Sequence, residues 1–260
     1  MEAEAGKQAV RHRFALGRFL PLGGPEDGTW ITEQAAVRDL GRAAAGVPGV
    51  RLEALRIGPA PHEPVSEPAV RPPAGALRPG PLRIEAACTA SLAQPLAETA
   101  DRLRSALLDT ARERLGLATV TADLRITDLH DAPETGAPET GVASRTAARA
   151  TTPAPEAPDA RASLPMTGTE SLRGFAAQLA DVATGVPGVA RLAAVWGSRP
   201  VMVADHDDPP GRHLEVHLAV ALGHHPLDVA RAVRDAMADA ASTDAPRPVT
   251  VAVLVTETAA

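Results

Sequence analysis

Gly46-Val47-Pro48-Gly49-Val50 and Gly185-Val186-Pro187-Gly188-Val189 are the same five residues, and the same pattern surrounds both. An amphipathic helix precedes each copy; two strands, a helix opened by proline and a last strand follow. Later landmarks recur as well. Leu103-Arg104-x-Ala106-Leu107-x-Asp109 echoes Val233-Arg234-x-Ala236-Met237-x-Asp239, and Val120-Thr121 echoes Val249-Thr250. The separation shrinks from 139 residues at Gly46/Gly185 to 130 at Leu103/Val233 and 129 at Val120/Val249, as a shorter loop in the second copy requires. The fold predicted is α+β: two tandem α-β-β-α-β modules, each a three-stranded sheet with two helices, joined by a disordered linker.

Working outward, residues 1–28 read as a basic and aromatic N-terminal extension. The first module spans 29–131, opening at Thr29 as N-cap of a helix that runs through Val37 and Leu40 to about Ala45. Gly46 stops that helix, and Pro48-Gly49 turns the chain into a strand. Residues 58–81 are a proline-rich insertion. Leu82–Cys88 alternates as a strand, Pro95 opens the next helix, and Val120–Ile126 alternates as the third strand. Residues 132–168, rich in Pro, Ala and Thr, form the linker, because such a composition buries too little to order itself. The second module, 169–260, is expected to carry strands at about Ala190–Trp196, His213–Ala221 and Val249–Val255. No leading strand is expected before either first helix. So small a core is marginal alone, and the second copy is expected to help bury the first.

Of the 260 residues, 45% are hydrophobic but only 2% aromatic, so the cores must be built from Ala, Val and Leu. A net charge of −6 argues against a general nucleic-acid partner, which a basic surface would serve. Lone Cys88 makes neither an intramolecular disulfide nor a zinc site, and its strand position reads as a small buried hydrophobe. The opening Met-Glu-Ala-Glu-Ala does not develop the apolar run of a signal peptide, so the expected location is cytoplasmic, at most peripheral at the inner face of the membrane.

Few residues propose chemistry. Leu164-Pro165-Met166-Thr167-Gly168 matches a cell-wall sorting pentapeptide but lacks the hydrophobic stretch and basic tail that must follow. His206, His224 and His225 are the candidates for a divalent metal, beside acidic Asp205, Asp207 and Asp208. His213 and His217, four apart on a strand, are about 13 Å from one another at ~3.3 Å per residue, too far for one ion. A solvated outer face is the reading preferred for these histidines, and no cofactor is expected. Gly46-Val47-Pro48-Gly49 is formally the GxxG of RNA-binding KH domains, but it joins a helix to a strand and carries no basic residue. Gly46, Pro48, Gly49, Gly185, Pro187 and Gly188 are therefore read as structural. No catalytic residues stand out. The remaining feature is the N-terminal cluster, where Arg11, Arg13 and Arg18 sit among Phe14 and Phe19. Two readings are open: the segment packs onto the chain's own modules, or these are interaction residues for a membrane surface or a partner helix.

The helix–GVPGV–strand–strand–helix–strand order with a Val/Thr-rich last strand resembles the alkaline-shock, or envelope stress response, family of Gram-positive bacteria. Leu16–Gly24 and the two-copy layout resemble a streptomycete group labelled after a nucleopolyhedrovirus fibrous protein. The resemblance implies a non-enzymatic cytoplasmic protein that associates with itself or with a membrane-anchored partner. The alternatives are a small-molecule or metal-binding regulatory module in the second repeat and, more weakly, a KH-like nucleic-acid binder.

Overall fold

A computed structural model describes residues 17–131, 168–195, 198–207, 210–242 and 248–259. The linker expected over 132–168 lies outside the described residues up to 167. The chain is α+β, with four helices and two sheets among the described residues. In chain order, strands β1 (Phe19–Pro21) and β2 (Thr29–Thr32) lead into helix α1 (Glu33–Ala45). Then come β3 (Val50–Pro59), β4 (Leu82–Ser91), helix α2 (Leu96–Asp109) with a π-helical last turn at Thr110–Leu115, and β5 (Thr119–His130). The second half holds α3 (Gly168–Thr184), β6 (Val189–Leu192), β7 (Val201–Asp207), β8 (Pro210–Val220), α4 (Pro226–Ser242) and β9 (Val249–Thr258). No helix among the described residues is long and apolar enough to cross a membrane.

The smaller sheet has the order β3-β4-β5, antiparallel and then parallel. In the larger one, β6 and β7 share one edge of β8 in antiparallel register, and β9 lies parallel along the other. The larger sheet then continues beyond that pattern: β2 adds parallel to β9, and β1 pairs antiparallel with β2, making six strands.

That addition corrects the expectation of a missing leading strand and of two three-stranded sheets, and it brings Phe19–Pro21, from the extension expected over 1–28, into the larger sheet; residues 1–16 lie outside the described residues. Thr29-Trp30-Ile31-Thr32 are all β formers, and their alternation sends Trp30 and Ile31 to opposite faces. Leu20, Leu22 and Ile31 are fully buried. The N-cap moves accordingly from Thr29 to Thr32, whose hydroxyl accepts from Ala35 N–H at 3.3 Å and donates to Thr256 O at 2.9 Å. One threonine thus caps α1 and fastens it to β9.

One hydrophobic cluster runs through both halves, from Ile57, Ile84 and Leu103 through Leu40 to Val216, Val233 and Val253. α1 touches both β3 and β9. Along β9 the period of two divides the core: Val251, Val253 and Val255 join that cluster, while Ala252 and Leu254 meet Trp30, Phe19 and Val195 on the opposite face.

The proline-rich segment, which begins after β3 ends at Pro59, closes this opposite face. Leu77 N–H donates to Phe19 O at 2.8 Å, Trp30 Nε1 donates to Leu77 O at 3.1 Å, and Ala69 N–H donates to Pro25 O at 2.9 Å. Val70 and Ala76 pack on the aromatic pair. Among the described residues β5 is an edge of the smaller sheet, partly guarded. Arg112 donates to Thr119 O at 2.7 Å and Arg104 to Ala122 O at 3.3 Å, occupying carbonyls that would template another strand.

The strand expected at Ala190–Trp196 is instead interrupted: β6 ends at Leu192 and the edge resumes at Val201. Trp196 lies outside the described residues. Asp205-His206-Asp207 are strand residues of β7, and Asp205 is paired to Arg212 at 2.7 Å across the hairpin.

Candidate functional site

The repeated glycines set the geometry. Gly49 and Gly188 sit at φ +78° and +93°, a left-handed conformation that side chains other than glycine's rarely adopt. Ser91 N–H donates to Gly49 O at 2.8 Å, and Ala221 N–H donates to Gly188 O at 2.8 Å. Each turn therefore fixes the end of a strand, Ser91 as the last residue of β4 and Ala221 as the first past β8, where the chain turns towards its next helix. In the second half that loop carries His224 and His225. A Cβ on Gly188 would lie 2.6 Å from Val229 Cγ2 and 2.8 Å from His224 Nδ1, so the fit leaves no space for a side chain.

The loop borders an open cleft of about 510 Å³ at the seam of the two halves. Asp39 and Arg42 of α1 form one wall, Thr110, Glu113 and Arg114 of the π-turn another. Ala221–Pro226 and the β9 terminus at Thr258 and Ala259 complete it. Arg42 is salt-bridged to Asp39. His225 Nδ1 lies 3.4 Å from Asp228 Oδ2. Gly116, at φ +82°, lets the π-turn approach so closely that a Cβ there would meet Leu227 at 2.9 Å.

Beside the cleft, the turn before β2 is bolted to α4. Asp27 is 5% exposed and accepts from Arg231 Nε at 2.7 Å and from Arg231 Nη2 at 2.9 Å. Arg234 donates to Asp27 O at 2.9 Å. Burial alone would raise the Asp27 carboxyl; the Arg231 hydrogen bond, the Gly24 N–H and the two arginine charges outweigh it and hold it below its usual value.

The histidines are not one site. His206, half-buried on β7, opposes Gly211 at the start of β8, whereas His224 follows the far end of that strand. Some 30 Å of strand separates them at ~3.3 Å per residue. Among the described residues no three His, Cys, Asp or Glu groups are placed to hold an ion. His213 and His217, expected on a solvated face, are 8% and 3% exposed, because the strand face they occupy is covered. His213 Nδ1 lies 2.9 Å from Thr250 Oγ1, and His217 Nε2 lies 2.7 Å from Glu215 Oε1. Burial lowers the His213 imidazole, Glu215 opposes that, and Arg71 and His206 add to it; the net direction is down.

Of the expected interaction residues, Arg11, Arg13 and Phe14 lie outside the described residues. Phe19 is 2% exposed and belongs to the aromatic cluster under the proline-rich segment, so its ring serves the fold. Arg18 donates to Ile57 O at 2.7 Å and reaches Glu33 at 3.4 Å, tying β3 to the start of α1. Cys88 is buried, and burial raises its thiol. Asp27, Arg231, Arg42, Arg114 and Thr258 went unremarked in the sequence. Asp27 sits in Gly-Pro-Glu-Asp-Gly, a turn composition that explains itself, and its partner is 204 residues away. No family model matches the chain, and neither a characterised protein nor a solved structure matches it.

Proposed function

We propose that the chain is a non-catalytic scaffold of the cell-envelope stress response, built by internal duplication from two tandem α-β-β-α-β modules. It works in the cytoplasm, at most peripheral to the membrane, and associates with itself or with a membrane-anchored partner. The shared strand order of β3-β4-β5 and β6/β7-β8-β9 supports the duplication. The observation that carries the interaction reading is the unequal closure of the two sheets. The six-stranded sheet is covered on its inner face, and on its outer face Val70 and Ala76 of the proline-rich segment pack against the cluster of Phe19, Trp30 and Leu254. The three-stranded sheet is covered on one face, leaving Ala54, Arg56, Glu85, Ala87, Asp123 and Arg125 along a shallow open surface. Small alanines between alternating charges suit a protein surface better than lipid, since they admit close approach and offer paired charge. Photo-crosslinking in the native cell from Ala87, with exposed Val65 as control, tests this. A defined adduct from Ala87 alone, to a second copy or a membrane protein, is expected; equal or absent crosslinking at both positions would overturn it.

A second reading, a small-molecule regulatory module, is favoured by the seam cleft. Its dimensions suit a metabolite, and residues from both halves line it.

A further inference from the structure

We propose that the seam cleft holds a small molecule through a phosphate or carboxylate group, seated between Arg42, Arg114 and the first turn of α4; this rests on the ligand-binding reading of the cleft. Parallel β8 and β9 are joined through α4, so both strand ends and the N-terminus of that 17-residue helix converge on one place. That is where parallel α/β units take their ligands, because the helix presents unpaired N–H groups and a partial positive charge. Here the first helical residue is Pro226, which has no N–H, and Val229 N–H is taken by His225 O at 3.1 Å. The N–H groups of Leu227 and Asp228 meet no acceptor among the described residues.

An independent feature of the cleft wall points the same way. Thr258, at the end of β9, is only 8% exposed, and its hydroxyl has no hydrogen-bond partner among the described residues. A buried polar group in that state is costly unless something completes it. Arg114 forms no ion pair among the described residues, and Arg42 brings a second guanidinium from α1. The opposing carboxylates are Asp39, which Arg42 already engages, Glu113 on the same wall as Arg114, and Asp228 beside His225. A planar guanidinium fork with backbone N–H donors matches an oxyanion in shape as well as sign. The volume, about 510 Å³, leaves space for a molecule larger than the bare ion.

The test uses the full chain and backbone amide NMR. Inorganic phosphate, pyrophosphate and succinate are titrated against sodium chloride at matched ionic strength, with glucose as a non-ionic probe. The expected result is saturable shifts at Leu227, Asp228, Thr258 and Ala259 with an oxyanion and none with chloride; the stronger arm separates phosphate from carboxylate. Arg114→Ala and Arg42→Gln should each weaken binding about tenfold, the loss expected of one charge-assisted hydrogen bond. Both side chains are at the surface, and the unliganded spectrum of each variant reports its fold. Thr258→Val should weaken binding by a smaller factor while keeping the shape. Cleft shifts with glucose and none with an oxyanion would overturn the oxyanion and leave the cleft a ligand site. Shifts with no probe, shifts confined elsewhere, or binding indifferent to both arginine variants would sink the proposal.

Discussion

Asp27 and His213 are buried ionisable groups whose environments push them in opposite ways. Asp27 is ionised in the fold, and its carboxyl sits below the usual 3.8. Its contribution is present above that value and is lost as pH falls through the lower folded one. Replacing it by Asn leaves Arg231 without its anion and should cost about 2–3 kcal/mol at neutral pH, with a flatter loss of stability below pH ~4. Urea titrations of both proteins between neutral and acid pH check this; equal stability at neutral pH would show that the pair is incidental. His213 is neutral in the fold and depressed below 6.5. The unfolded chain takes up a proton first as pH falls, so stability from His213 is present above about 6.5 and shrinks below it. His213→Gln should remove that slope, and a pH-dependent melting series reads it directly. An unchanged slope would assign the titration to other histidines. Neither group was legible as ionically important in the sequence, since burial comes from elements far along the chain.

Among the elements, those with a local cause were readable. Thr/Val alternation gave β9, the proline-started helix gave α4, and the glycine turns marked the ends of α1 and α3. β2 was not. Its four residues abut the helix cap, and the strand it joins, β9, is more than two hundred positions later. Nothing local says that Trp30 and Ile31 will add to a sheet from the other half. The interruption between β6 and β7 was equally hidden, because the loop is held from β8: His217 O accepts from Ala193 N–H at 2.9 Å and His217 N–H donates to Pro200 O at 2.8 Å. The cleft was legible only in part: His224 and His225 were singled out, but for a metal, and the arginines of α1 and the π-turn were not. The two repeated turns allow a comparison. Gly49→Ala meets Ser91 Cβ at 3.2 Å, a contact that can give slightly, whereas Gly188→Ala meets Val229 at 2.6 Å and His224 at 2.8 Å. Both substitutions strain a left-handed backbone, at about 1–2 kcal/mol. Gly188→Ala adds overpacking of roughly 1–3 kcal/mol and should displace the His224 loop. Chemical denaturation of the two variants should rank them in that order; equal losses would mean the second turn yields as easily as the first.

At the scale of the whole molecule, the halves are not interchangeable beads on a string. The first half lends β1 and β2 to the second half's sheet, Asp27 to its last helix, and the proline-rich segment to its outer face. Leu20, Leu22, Trp30 and Ile31 are each at most 1% exposed. At about 1.5–3 kcal/mol apiece, their burial is worth roughly 6–12 kcal/mol as an upper estimate, comparable to the ~5–15 kcal/mol that holds a typical domain together. A chain of residues 168–260 alone would leave the edge of β9 bare along Val253, Leu254 and Val255, a template for pairing with other chains. It should aggregate or fail to give a cooperative transition. Deleting only residues 1–16 should leave the melting temperature close to that of the full chain, because among the described residues the core strands begin at Phe19. Deleting 1–22 should lower it sharply. Residues 17–131 supplied in trans should restore a soluble complex with 168–260, and Asp27→Asn in that fragment should weaken it. A monomeric, cooperatively folded 168–260 with unaltered stability would show that the strands lent by the first half are dispensable to the second half's sheet.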